Sequence, residues 1–158
     1  MTTPISREDE HEEVYGKSFS LYNLAEVRTF SQFLSRRFVA NDIDPISVFQ
    51  GKSCLDAGCG NGRGSLFMLE NGAQRVTAVD ISESNVQATK QNCQSAGFTN
   101  VVVSLENLDS LPYDTNSFDF VWCNGVLMHT ERPSACLAEI TRVLRVGGSA
   151  WIYVYGEG

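Results

Sequence analysis

The sequence predicts an α/β fold: a doubly wound parallel sheet of five strands with helices on both faces. Three observations carry this expectation. Short apolar runs alternate with stretches of helical period, the pattern of βαβ units, which build parallel sheets through right-handed crossovers. The runs are almost continuously apolar, as strands covered on both faces are. The first run leads straight into Gly58-Cys59-Gly60-Asn61-Gly62-Arg63-Gly64, a glycine cluster where such a sheet turns from strand to helix.

Residues 1–18 read as an acidic, flexible arm, with five acids among the six residues from Glu8 to Glu13; a solvated charge run is the plain meaning of such a stretch. Residues 19–158 read as one domain. Apolar residues recur at helical spacing from Phe19 to Phe38 (Leu21, Leu24, Val27, Phe30, Phe33 or Leu34, Phe38), which predicts an amphipathic helix. Asn41-Asp42-Ile43-Asp44-Pro45 breaks it. Ser53 to Ala57 is the first strand, and Gly64 to Glu70 a helix stopped by Asn71-Gly72, residues that tolerate a left-handed backbone. Val76 to Val79 is the second strand. Ser82 is an N-cap for a helix through Ser95, with Gly97 just beyond its end. Val101 to Leu105 and Phe118 to Cys123 are the third and fourth strands. Pro133 suits a first helical turn, and Leu137, Ile140, Val143 and Leu144 supply that helix with a buried stripe. Gly147-Gly148 ends it, and Ala150 to Tyr155 is the fifth strand.

The 158 residues fit a single domain able to bury its own core. Twelve Lys and Arg against nineteen Asp and Glu leave a net charge of -7, which argues against a non-specific nucleic-acid binder, since such binding rests on neutralising phosphates. No apolar run approaches the roughly 20 residues that span a bilayer, and the polar, acidic N-terminus is the opposite of a signal peptide. Cys54, Cys59, Cys93, Cys123 and Cys136 are odd in number and widely spaced. They read as free thiols of a cytoplasmic protein rather than a disulfide framework or a metal site.

The chemistry concentrates at Asp56-Ala57-Gly58-Cys59-Gly60-Asn61-Gly62. Glycines there let a ligand approach the main chain at the carboxyl end of the sheet. The strict dinucleotide pattern G-x-G-x-x-G fits in no register, and no Gly-Lys-Ser/Thr follows to make a P-loop. Asp80 ends the second strand 22 residues after Gly58, where a carboxylate can accept from both hydroxyls of a ribose. An Asp after a strand can also simply start a turn, but the glycine loop upstream favours the ribose.

At these residues the chain resembles the class I S-adenosylmethionine-dependent methyltransferases, over about residues 48–155. Four segments in order carry the resemblance: Leu55 to Gly62, Val79-Asp80-Ile81-Ser82, Leu111-Pro112-Tyr113 with Ser117 to Val121, and Glu139 to Gly148. It implies a Rossmann-like fold, here truncated before the usual C-terminal antiparallel strands, and S-adenosyl-L-methionine as cofactor. By position, Gly58, Cys59 and Gly60 would line the methionine part and Asp56 would hold the loop and reach the ammonium group. Asp80 would bind the ribose, and Ile81 would lie against adenine. Asn107, followed by Leu108, stands where an acid usually takes the adenine amino group, with Glu106 and Asp109 as substitutes. Cys123 and Asn124 would flank the sulfonium, and Val146 replaces a usual proline. No metal is implied.

Methyl transfer from a sulfonium needs alignment and exclusion of water more than a nucleophile. His129 is the candidate base, its ordinary pKa near 6.5 suiting the task; the plain alternative is a turn residue. Tyr15-Gly16-Lys17 resembles an arm that closes over the cofactor in similar enzymes. The expected acceptor is a small molecule or a protein. A fifth strand lacking its usual neighbours presents an apolar edge, which predicts a homodimer through that edge. Two other readings stand beside the enzyme: a cofactor-binding or partner-dependent module without catalysis, and, on a similar sheet, a nicotinamide-dependent oxidoreductase.

Overall fold

The computed structural model describes residues 21–156, so the acidic arm and Tyr15-Gly16-Lys17 lie outside the described residues. The first helix, α1, spans Leu24–Val39. It starts later than its apolar pattern because Asn23 caps it: the Asn23 side chain accepts from the Ala25 and Glu26 N–H groups, while Glu26 accepts from the Asn23 N–H at 2.8 Å. Val27, Leu34 and Phe38 are buried as expected, but Leu21 is exposed and Phe30 and Phe33 are only partly covered. A short helix, α2 (Pro45–Phe49), follows directly; Pro45 starts it and Asp44 caps it. The proline that ends one helix therefore opens another.

Strands β1 (Ser53–Ala57), β2 (Arg75–Asp80), β3 (Val101–Leu105), β4 (Phe118–Asn124) and β5 (Leu144–Tyr153) form one all-parallel sheet in the order β3-β2-β1-β4-β5. Helices α3 (Arg63–Glu70), α4 (Glu83–Ser95) and α5 (Pro133–Val143) make the crossovers. The order reverses between β1 and β4, and ligands of open α/β sheets bind at such a reversal.

The sheet is covered on both faces, by two cores. One centres on Phe38, which stacks on Trp151 at 4.9 Å and Trp122 at 6.1 Å and meets Phe49 and Phe67 at 5.7 and 5.2 Å. Removing a buried aromatic of this kind costs about 3–5 kcal/mol. The other core gathers Leu55, Val121, Cys123, Cys136, Ile140 and Val143 beneath α5. There Cys136 takes the buried place expected of Leu137, which is exposed.

Two expectations fail at the sheet's margins. The outer strands β3 and β5 are not doubly covered, and most of their residues are partly or fully exposed. The fifth strand also begins at Leu144, not Ala150, directly after α5. Gly147-Gly148 does not stop the helix but lies within the strand. Its register jumps there, from Phe118↔Leu144 to Phe120↔Ser149, a bulge that Gly147 permits with φ 79°. Gly148 sits where a Cβ would come within 2.9 Å of the Asp119 carbonyl. Among the described residues β5 pairs only with β4 and forms a sheet edge.

Candidate functional site

A cavity of about 470 Å³ opens at the carboxyl ends of the strands, over the order reversal, within the range of small-molecule sites. Its floor is the loop from β1 to α3. The backbone turns by left-handed steps at Gly58 (φ 85°), Gly60 (φ 55°) and Gly62 (φ 86°). Gly58 has no room for a side chain, because a Cβ would lie 2.5 Å from Val126.

The N–H groups of Gly58, Cys59, Gly60 and Gly62 are already committed. Gly58 and Cys59 both donate to the Val79 carbonyl at 2.9 Å, and Gly60 donates to Asp80 Oδ2 at 2.8 Å. Asp80 Oδ1 accepts from the Ser82 N–H at 3.0 Å and from Asn85 Nδ2 at 3.1 Å. Asp80 is thus both a cavity wall and the brace that fixes the loop to β2. Asp56, fully buried at the end of β1, accepts from Ser65 Oγ at 2.6 Å. Burial pushes its carboxyl up to about 6, with the Ser65 hydroxyl opposing and Asp80 adding to the rise. Arg63 lines the same cavity, and burial lowers its pKa.

Two further cavity residues escaped the sequence reading. Asn61 and Asn85 are each 2% exposed, and each has a side-chain oxygen with no hydrogen-bond partner. Asn85 cannot turn its amide to hide this, since its Nδ2 holds Asp80 and the reversed amide would set oxygen against carboxylate. An unpartnered buried acceptor costs about 1–3 kcal/mol, and both side chains belong to the cavity lining. Their signal in the sequence was weak: both are short polar residues at a loop and a helix start, where Asn commonly serves the backbone.

The remaining expected residues divide. Ile81, Leu108 and Asn124 line the cavity with Gly58, Cys59 and Gly60. Asn107 lines it too, but its Oδ1 accepts from the Asp109 N–H at 3.2 Å, and Asp109 is gripped by Arg132 at 2.6 Å. Glu106 also lines the cavity. The Cys123 side chain does not flank the site: strand alternation turns it into the core under α5, while Trp122 and Asn124 face the cavity. The five cysteines are free and buried, and burial raises every thiol pKa, to about 12 for Cys54, Cys93 and Cys123; none is poised as a nucleophile.

The wall from 106 to 113 is pinned from α5. Glu139 accepts from the Leu111 N–H at 2.8 Å and pairs with Arg142, which donates to the Tyr113 and Leu111 carbonyls at 2.6 and 3.0 Å. This explains why the third and fourth sequence segments occur together. His129, in a short 3₁₀ turn (Leu127–His129), is half-buried, which lowers its pKa and favours the neutral ring; its Nε2 lies 2.6 Å from Tyr155 Oη.

No group of metal-ligating side chains occurs among the described residues, and no helix among them is long and apolar enough to cross a membrane. The donor-hungry lining fits S-adenosylmethionine, which carries an ammonium, an adenine amine and two ribose hydroxyls.

The sequence pattern that defines methyltransferase domains matches residues 55–152. A demethylmenaquinone methyltransferase of Oceanobacillus iheyensis is 28% identical over 94% of this chain and 63% of its own. Of solved structures, the cyclase SpnF is 28% identical with a TM-score of 0.63, covering 76% of this chain and 42% of its own. A SAM-dependent methyltransferase from Aquifex aeolicus shares the fold at 18% identity and a TM-score of 0.60, covering 78% of this chain and 68% of its own. The chain spans a third or less of several other curated relatives. With the all-parallel sheet, the glycine loop and the strand-end carboxylate in place, the chain belongs to the methyltransferase domain family, on the class I S-adenosylmethionine-dependent fold.

Proposed function

We propose that the chain binds S-adenosylmethionine in this cavity and transfers its methyl group to a small-molecule acceptor. One observation carries the reading. Two carboxylates, Asp56 and Asp80, stand at the ends of neighbouring strands over a loop whose Gly58, Cys59 and Gly60 N–H groups are already used. Such a floor suits a cationic ligand rich in donors and repels a pyrophosphate, which needs free N–H groups. This disfavours the nicotinamide reading.

In this arrangement Asp80 accepts from the ribose hydroxyls, with Asn85 Oδ1 as a further acceptor. Ile81 and Leu108 contact adenine, and Asn107 or Glu106 takes its amine. Gly58, Cys59 and Gly60 underlie the methionine, Asp56 faces its ammonium, and Asn124 lies beside the sulfonium. The cofactor supplies a methyl group already activated by positive sulfur. The chain's part is to hold that group in line with an acceptor and keep water away, with His129 as the nearby base. The buried thiols fit a reducing cytoplasm.

A second reading, a cofactor-binding module that does not transfer methyl groups, is favoured by one finding: the similar structure SpnF is named a cyclase. Calorimetric titrations with S-adenosylmethionine and with NADH test the first step. One-to-one binding of the former alone is expected; preference for NADH overturns the reading. Formation of S-adenosylhomocysteine with an acceptor then separates the enzyme from the module.

A further inference from the structure

Once the cofactor is assigned its residues, the cavity has lining left over. Phe30, Phe33 and Arg37 come from α1, His129 from the 3₁₀ turn, Tyr153 from the end of β5 and Tyr155 from just beyond it. The four aromatic rings stay 37–52% exposed although they line one cavity. Apolar surface gathered in a concavity, rather than scattered, marks a ligand contact. Flat rings lining a cavity suit a flat ligand.

The polar groups between the rings are specific. Arg37 rests over Tyr153, 5.1 Å from the ring centroid, and among the described residues it has no carboxylate within ion-pair distance. The Tyr155 ring lies 6.5 Å from that of Tyr153, tilted by 51°, and its hydroxyl meets His129 Nε2. Tyr153 thus neighbours both a cation and a ring whose hydroxyl pairs with an imidazole.

We infer that this wall is the acceptor site, that its acceptor is a hydroxylated aromatic carboxylate, and that Tyr155, backed by His129, meets the hydroxyl to be methylated. The inference rests on the cofactor reading above. Arg37 takes the carboxylate and the rings take the aromatic body. Methyl transfer forms the O–CH₃ bond and breaks the S–CH₃ bond, whose electron pair stays on sulfur. The acceptor's proton passes to Tyr155 Oη as the Tyr155 proton passes to His129 Nε2, and the imidazolium later releases it to water. The relay requires Nε2 to start unprotonated, and the half-buried ring favours that neutral form. Tyr155 is then the catalytic residue and His129 a positioning residue acting through it.

The test uses the whole chain and three fluorescent probes: 6-hydroxy-2-naphthoate, 2-naphthol without the carboxylate, and 2-naphthoate without the hydroxyl. S-Adenosylhomocysteine binding is measured first. If it fails, the cofactor reading falls and this inference with it. With S-adenosylhomocysteine bound, 6-hydroxy-2-naphthoate should bind roughly tenfold more tightly than 2-naphthol, as expected for one charge-assisted contact. Arg37→Ala should erase that difference, since of the other arginines lining the cavity Arg132 already grips Asp109 and Arg63 is buried beside Asp56. Equal binding of the two probes, no binding, or an unchanged preference in Arg37→Ala overturns the acceptor class while leaving the cofactor reading intact. With S-adenosylmethionine, 6-hydroxy-2-naphthoate should yield the methyl ether. Tyr155→Phe should lower kcat at least tenfold with KM within twofold, and His129→Gln should do the same with no further loss in the double variant. A bound probe that is never methylated, or a Tyr155→Phe variant at the wild-type rate, overturns the relay.

Discussion

The two ends of the cavity are built on different terms. At the β1–β2 end every group is fixed: Gly60 and Asn85 hold Asp80, Ser65 holds Asp56, and the Gly58 backbone leaves no space beneath Val126. At the β4–β5 end the rings of Tyr153 and Tyr155, at the end of the edge strand, and of Phe33 on α1 stand partly in solvent. Under the proposed function the fixed end takes the cofactor and the open end takes the acceptor.

The largest effect should come from Gly58→Val. The left-handed backbone strains any β-branched residue by about 1–2 kcal/mol, and the new side chain would collide with Val126. S-Adenosylhomocysteine affinity should fall more than a hundredfold by calorimetry. Phe33→Ala, at the open end, should leave it within twofold; similar losses from both would erase the contrast between the ends.

Asn85→Leu should act more gently and in two directions. It removes one acceptor offered to the ribose, so affinity should fall up to about tenfold. It also removes a buried oxygen without a partner, which offsets the lost bond to Asp80, so thermal unfolding should shift little. Full affinity would remove Asn85 from the site.

The rigid end should also feel pH through Asp56. Its carboxyl is raised from 3.8 to about 6 in the folded chain. The stability this contributes is complete below about pH 4 and lost as pH rises through about 6. A ligand ammonium needs the ionised form, so affinity for S-adenosylhomocysteine should rise between about pH 5 and 7 and then level off. Ser65, Asp80 and Arg63 face this carboxyl, so Asp56→Asn, which keeps the others, is the control and should flatten that rise.

The smallest effect on the site belongs to the open edge. Ile152 in β5 and Val154 just beyond it are exposed, and among the described residues the outer edge of β5 is unpaired; such edges pair. We expect a symmetric dimer in sedimentation at high concentration, weakened by Val154→Lys with cofactor affinity unchanged. A monomer throughout a hundredfold concentration range would contradict this.

The same contrast explains what the sequence revealed. The glycine loop and Asp80 were legible because their geometry permits few residue types: only glycine turns left-handed so readily, and only a carboxylate at a strand end braces that loop. The limits of β3 were legible because the apolar run has sharp polar ends. The start of β5 was not, since Gly147-Gly148 signals a helix stop and a strand bulge equally well. Phe30 and Phe33 matched the helical period but face the cavity, because periodicity names a face and not what covers it. Cys123 failed by one position, since alternation along β4 depends on a register visible only in three dimensions. Asn61 and Asn85 were hidden because an unpaired oxygen is a property of surroundings, not of residue type.

Asp80 would join the glycine loop to the cofactor, as its bond to the Gly60 N–H places it at both. Calorimetric titration of wild type and Asp80→Ala with S-adenosylhomocysteine tests it most directly. Hydrogen bonds to a charged group are worth about 1.5–3 kcal/mol each, so wild type should bind one equivalent and the variant should bind at least tenfold more weakly while still unfolding cooperatively. Equal affinity in the two proteins would contradict the claim.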